Sequence, residues 1–60
     1  MKHQNVDFCV KVAGRYIDTN GNKVKESKSL MDYQTAKQTA KKYGGELFAW
    51  DIYFGWEPFR

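Results

Sequence analysis

Six of the chain's ten aromatic side chains (Phe48, Trp50, Tyr53, Phe54, Trp56 and Phe59) fall in its last seventeen residues, GGELFAWDIYFGWEPFR. This clustering constrains the fold more than any other feature, because little else in the chain can hold it together. A chain of sixty residues buries only about 60% of the surface that its unfolded form exposes. One core of that size rarely supplies more than ~3–5 kcal/mol, so small domains add disulfides, a metal or a second subunit. Cys9 is the single cysteine, which excludes an intramolecular disulfide. His3 is the single histidine, and one His with one Cys does not make a zinc site. Dense ring packing or self-association is left. All sixty residues are expected to form one small domain, residues 1–60.

Local patterns give the elements. In VDFCVKV, Val6, Phe8, Val10 and Val12 alternate with Asp7, Cys9 and Lys11, the period of a half-buried strand. Gly14 marks a bulge or bend, and RYID continues as extended chain. Asn20–Gly21 is a strong turn signal, since both residues tolerate positive φ. KVKES then returns as a second strand, with lysines suited to an edge that resists pairing. Residues 6–27 therefore read as one long hairpin.

A connector follows, and Asp32 is placed to cap a helix, YQTAKQTAKKY. Tyr33, Ala36, Ala40 and Tyr43 fall on one face at helical spacing. Gly44 is the expected left-handed residue that ends the helix, and Gly45 lets the chain reverse. ELFAWDIYF reads as a third strand, with Leu47, Ala49 and Asp51 alternating with Phe48, Trp50, Ile52 and Phe54. Gly55 and Pro58 end that pattern. The expected fold is α+β: a three-stranded antiparallel sheet in ββαβ order, spatial order 2-1-3, with one helix packed on one face. The expected core is Leu47 with Phe8, Val10, Ala36 and Ala40.

The chemistry of sites is sparse. There is no glycine-rich phosphate loop and no nucleophile beside a base. Asp18, Asn20 and Asn22 sit at the first, third and fifth positions of a calcium loop, but Lys23 stands where Gly belongs and Ser29 where Glu belongs. A hairpin turn explains that stretch. No catalytic, metal or cofactor site is expected, and Cys9 is expected to be a small buried residue. No stretch approaches the ~20 apolar residues of a membrane span. The lone cysteine and the opening MKHQNVDF, without an apolar run, predict a cytoplasmic protein.

The net charge of +3 allows an acidic partner or nucleic acid but demands neither. Lys37, Lys41 and Lys42 on the helix, with Lys11, Lys23, Lys25 and Lys28 on the hairpin, are the candidate phosphate contacts. Nucleic-acid binding is thus the second functional reading. It is weakened because lysines and aromatics are not interleaved, as a single-strand platform needs. The first reading rests on the aromatic tail. One helix shelters only one face of a sheet, which leaves rings uncovered, and interfaces are enriched in Trp, Tyr, Phe and Arg. Trp50, Tyr53, Phe54, Trp56 and Phe59, with Arg60 on the rim, are the expected partner-binding residues. Self-association as a homodimer is the first partner to expect. A structural subunit of a larger particle is a third class.

The stretch LMDYQTAKQTAKKYGGELFAW, a capped Ala/Lys helix, then Tyr-Gly-Gly-Glu, then an aromatic strand, resembles small phage- and prophage-encoded accessory proteins of Gram-positive bacteria with a ββαβ pattern. Some small phage proteins of this size disable host enzymes or defence systems. The resemblance spans about residues 15–52 and assigns no active residue. It implies a non-catalytic inhibitor or modulator that occludes a host protein. The basic charge argues against DNA mimicry.

Overall fold

A computed structural model of the chain describes residues 7–59. It is a small α+β fold in which four strands, not three, form one antiparallel sheet: β1 (Phe8–Val12), β2 (Arg15–Ile17), β3 (Glu46–Asp51) and β4 (Gly55–Pro58) in spatial order β2-β1-β3-β4. The one α-helix among the described residues, α1 (Tyr33–Tyr43), lies between β2 and β3 in the chain. The central placement of β1 and its pairing with β3 agree with expectation; the hairpins on either side do not.

The first correction concerns β2. The turn after β1 is Ala13–Gly14, flanked by the pair Val12↔Arg15. Both residues have positive φ, 54° and 77°, as a two-residue hairpin loop matched to strand twist requires. RYI is therefore the partner strand, paired as Val10↔Ile17 and Lys11↔Tyr16. The Asn20–Gly21 region does turn the chain, with Asp18 Oδ1 accepting from Asn20 N and Asn22 N at 2.9 Å each. Its return leg is a single bridge, Ile17↔Lys23. KVKES is not a ladder strand, and Glu26–Lys28 instead form one 3-10 turn. Val24, the lone apolar residue of that stretch, leaves it without the alternating face that holds a strand on a sheet.

The second correction concerns the tail. ELFAWDIYF breaks at Asp51, whose Oδ1 accepts from Tyr53 N at 2.7 Å and Phe54 N at 3.1 Å. Gly55 then takes φ 77°, and GWEP returns as β4. Gly55 opens a strand instead of ending one. Pro58 fits there because β4 is an edge. Phe59 N donates to Leu47 O at 2.9 Å, so the alternation of an antiparallel ladder makes Phe48↔Pro58 a non-hydrogen-bonded pair. The absent N–H of Pro58 thus points out of the sheet.

The helix is as expected. Asp32 Oδ1 accepts from Thr35 N at 2.8 Å, which holds the Asp32 carboxyl below the usual carboxylate range. Gly44 ends the helix in the left-handed region at φ 68°. The core lies between α1 and one sheet face: Phe8, Val10, Ile17 and Ala36, with Val12, Met31, Ala40, Tyr43, Leu47 and Ala49 packed against it. Met31 arrives there through a two-way backbone bridge with Phe8, N to O at 3.0 and 2.8 Å. This bridge occupies the edge of β1 that the short β2 leaves open. The expected start of β1 at Val6 lies outside the described residues.

Among the described residues, no helix is long and apolar enough to cross a membrane, and no group of three or more His, Cys, Asp and Glu side chains could hold a metal ion.

Candidate functional site: the aromatic hairpin

The register of the sheet sorts the aromatic tail. Residues directly opposite one another share a face. Leu47 and Ala49 share the helix side with Val10 and Phe8. Phe48 and Trp50 therefore point to the other side, with Cys9, Lys11, Tyr16 and Trp56. Between Trp50 and Trp56 the chain turns, and the turn carries Ile52, Tyr53 and Phe54.

The expected partner-binding residues separate into three groups. Tyr53 and Phe54 stand at the hairpin tip, 81% and 75% exposed, beside Ile52 at 78%. They form the most exposed apolar group among the described residues. Trp50 and Trp56 pair on the back of the sheet, with ring centroids 5.2 Å apart and planes at 72°. Trp50 is exposed, whereas Trp56 is half-buried and its Nε1 donates to Glu26 Oε2 at 2.6 Å. Trp56 is thus partly a structural residue. Phe59 turns to the helix side and joins an aromatic cluster with Phe8 and Tyr33, at centroid distances of 5.3 and 5.7 Å. It closes the open end of the core and keeps one exposed edge. Arg60 lies outside the described residues.

Sequence reasoning placed Ile52 inside a strand and missed it as a tip residue. The signal was present: Asp51 four residues before Gly55, an acceptor for turn N–H groups followed by a residue free to take positive φ. The run of hydrophobic residues between them masked it.

The back face is not bare. Cys9 lies on it, fully buried. Desolvation pushes the Cys9 thiol up to about 11, with Lys11 opposing and Glu26 adding to the shift. Lys11 Nζ sits 4.8 Å from the centroids of both the Tyr16 and the Phe48 rings. The connector from Lys23 to Met31 folds over part of this face, tied by the Glu26–Trp56 bond.

The candidate nucleic-acid contacts do not converge. Lys37, Lys41 and Lys42 are exposed on α1, and two lie over their own helix's tyrosines: Lys37 at 5.7 Å from the Tyr33 ring, Lys42 at 5.4 Å from Tyr43. Lys11 faces the opposite side of the sheet. Arg15 and Lys23 line a separate groove of about 410 Å³ with Tyr43. The positive charge is therefore spread over several surfaces, while the exposed apolar area is concentrated at one hairpin.

No family model matches the chain, and neither does any curated protein or solved structure.

Proposed function

We propose that the chain is a non-catalytic protein-binding module whose contact surface is the β3–β4 hairpin. The single observation carrying this reading is the tip Ile52-Tyr53-Phe54, three large apolar side chains in a row, each at least 75% exposed. Exposed large apolar residues scattered singly need no explanation, but contiguous ones mark contact sites. The turn beneath them is held by Asp51 and Gly55, so the rings are presented on an ordered support. Such pre-ordering lowers the entropy lost when a partner docks. Trp50 and the exposed edge of Phe59 extend the surface. On the resemblance to phage accessory proteins, the partner is a host protein in the bacterial cytoplasm, and the chain inhibits it by occlusion, as a homodimer. The runner-up is a nucleic-acid-binding accessory protein using Lys37, Lys41 and Lys42.

The test is parallel affinity capture from a Gram-positive lysate with wild type and an Ile52→Ser/Tyr53→Ser/Phe54→Ser variant. A protein held by wild type and released by the variant supports the reading, provided the purified pair binds directly. Equal recovery by both overturns it. Recovery of nucleic acid alone, falling steeply as salt rises, establishes the runner-up instead.

A further inference from the structure

Beside the hairpin tip, on the sheet face away from α1, lies a cavity of about 200 Å³ lined by Asp7, Glu26, Ser27, Leu30, Trp50 and Trp56. We propose that it seats the cationic head of a basic side chain, an alkylammonium or a guanidinium, presented by the protein partner. Four observations lead there. First, its aromatic walls are two indoles at a steep angle, held side by side because Trp50↔Trp56 is a non-hydrogen-bonded pair of the β3–β4 ladder. An indole face is the best aromatic surface for a cation. Second, both titratable lining residues, Asp7 and Glu26, are carboxylic acids, and none of the described lining residues is basic. In a chain of net charge +3, that is a local reversal of sign.

Third, both acidic residues are tied to the tryptophans, Asp7 through its backbone and Glu26 through its carboxylate. Trp50 N donates to Asp7 O at 2.9 Å, which ties Asp7 to the rim. Glu26 Oε2 accepts from Trp56 Nε1, which fixes one oxygen and the indole together. Trp, carboxylate and cation are a matched set: a guanidinium stacks on a ring and forks to a carboxylate, and an ammonium does the first as a compact charge. Fourth, the same face already seats one ammonium on rings. Lys11 Nζ stands 4.8 Å from the ring centroids of both Tyr16 and Phe48, and Phe48 is the same-face neighbour of Trp50 along β3. The source of the cation rests on the protein-binding reading: a partner segment would place an apolar stretch against Ile52–Phe54 and a basic residue in the cavity.

The experiment is a titration of the full chain followed by the two indole N–H resonances in ¹H–¹⁵N spectra. The probes are N-acetyl-arginine amide, choline, and 3,3-dimethylbutanol as choline's neutral isostere. The expected result is saturable movement of both resonances with a cationic probe at millimolar concentration, and affinity about tenfold lower for the alcohol. Glu26→Gln keeps an acceptor for Trp56 but removes the charge, and is expected to weaken cation binding several-fold while the spectrum stays folded. Asp7→Asn, at an exposed position, gives the same test without touching the indole hydrogen bond. Equal affinity for choline and its neutral isostere overturns the proposal, as does unchanged cation affinity in both charge variants. Indole resonances that ignore every probe also overturn it, and leave the hairpin-tip reading standing. That reading falls separately, if the tip variant captures the same partner as wild type.

Discussion

Cys9 shows how one side chain's environment sets its chemistry. It sits in the central strand with no exposed surface, and its thiol is held protonated up to about 11. The thiolate is the reactive form, so a thiol reagent at neutral pH is expected to label the folded chain only as fast as it opens. The same shift has a thermodynamic consequence. Below the ordinary value of 9.0 both folded and unfolded chains keep the proton, and the thiol contributes its full stability. As pH rises beyond that value the unfolded thiol ionises first, and stability is lost until the folded thiol also ionises near 11. Urea unfolding at a series of alkaline pH values is expected to show this decline in wild type and a shallower one in Cys9→Ala. Gly45 is constrained differently. A Cβ there would stand 2.6 Å from Val10 Cγ1 and 2.9 Å from the Lys11 carbonyl oxygen. The oxygen belongs to the central strand and cannot yield alone. Gly45→Ala is expected to cost about 1–3 kcal/mol, read as a drop in Tm on the order of 10 °C for a domain of this size.

Among the elements, the helix was the most legible in the sequence, and the hairpins were the least. Asp32, the Tyr33/Ala36/Ala40/Tyr43 face and Gly44 are local signals that agree with one another, and all of them are used. The hairpins required a choice between competing turns. Asn20–Gly21 carries the stronger dipeptide, yet the ladder closes at Ala13–Gly14, because Ile17 then lands opposite Val10 in the core. Burial of Ile17 outweighs the cost of a positive φ at Ala13. In the tail, alternation with apolar residues on both faces suggested one long strand, whereas Asp51 and Gly55 folded it into two. Both errors came from reading turns by composition when cross-strand pairing decides them. The tip also separates stability from recognition. Ile52, Tyr53 and Phe54 contribute little to the core, so the triple serine variant is expected to keep its stability within ~0.5 kcal/mol per site. Thermal melts check this. A large loss would show that the tip is part of the folded interior.

At the scale of the whole molecule, the shortage of internal cross-links is met by packing on both sheet faces. The helix seals one, while the connector over Cys9 and Trp56 partly seals the other. Among the aromatics of the tail the most exposed are Tyr53 and Phe54, with Trp50 and Phe59 each 42% exposed, so the tail carries more ring surface than one helix shelters. If two copies associate, they are expected to do so through the tip. Light scattering after size exclusion is then expected to give a dimer for wild type and a monomer for the triple serine variant; a monomer in both removes the homodimer. The orientation of Pro58 bears on what such association can become. A rim that lacks one amide proton offers a broken template to an incoming strand, and a neighbour adding there would lose a rung at the point of contact. Copies meeting through their loops can close into a finite pair, whereas stacking rim to rim along β4, the route to fibres, starts with one hydrogen bond missing.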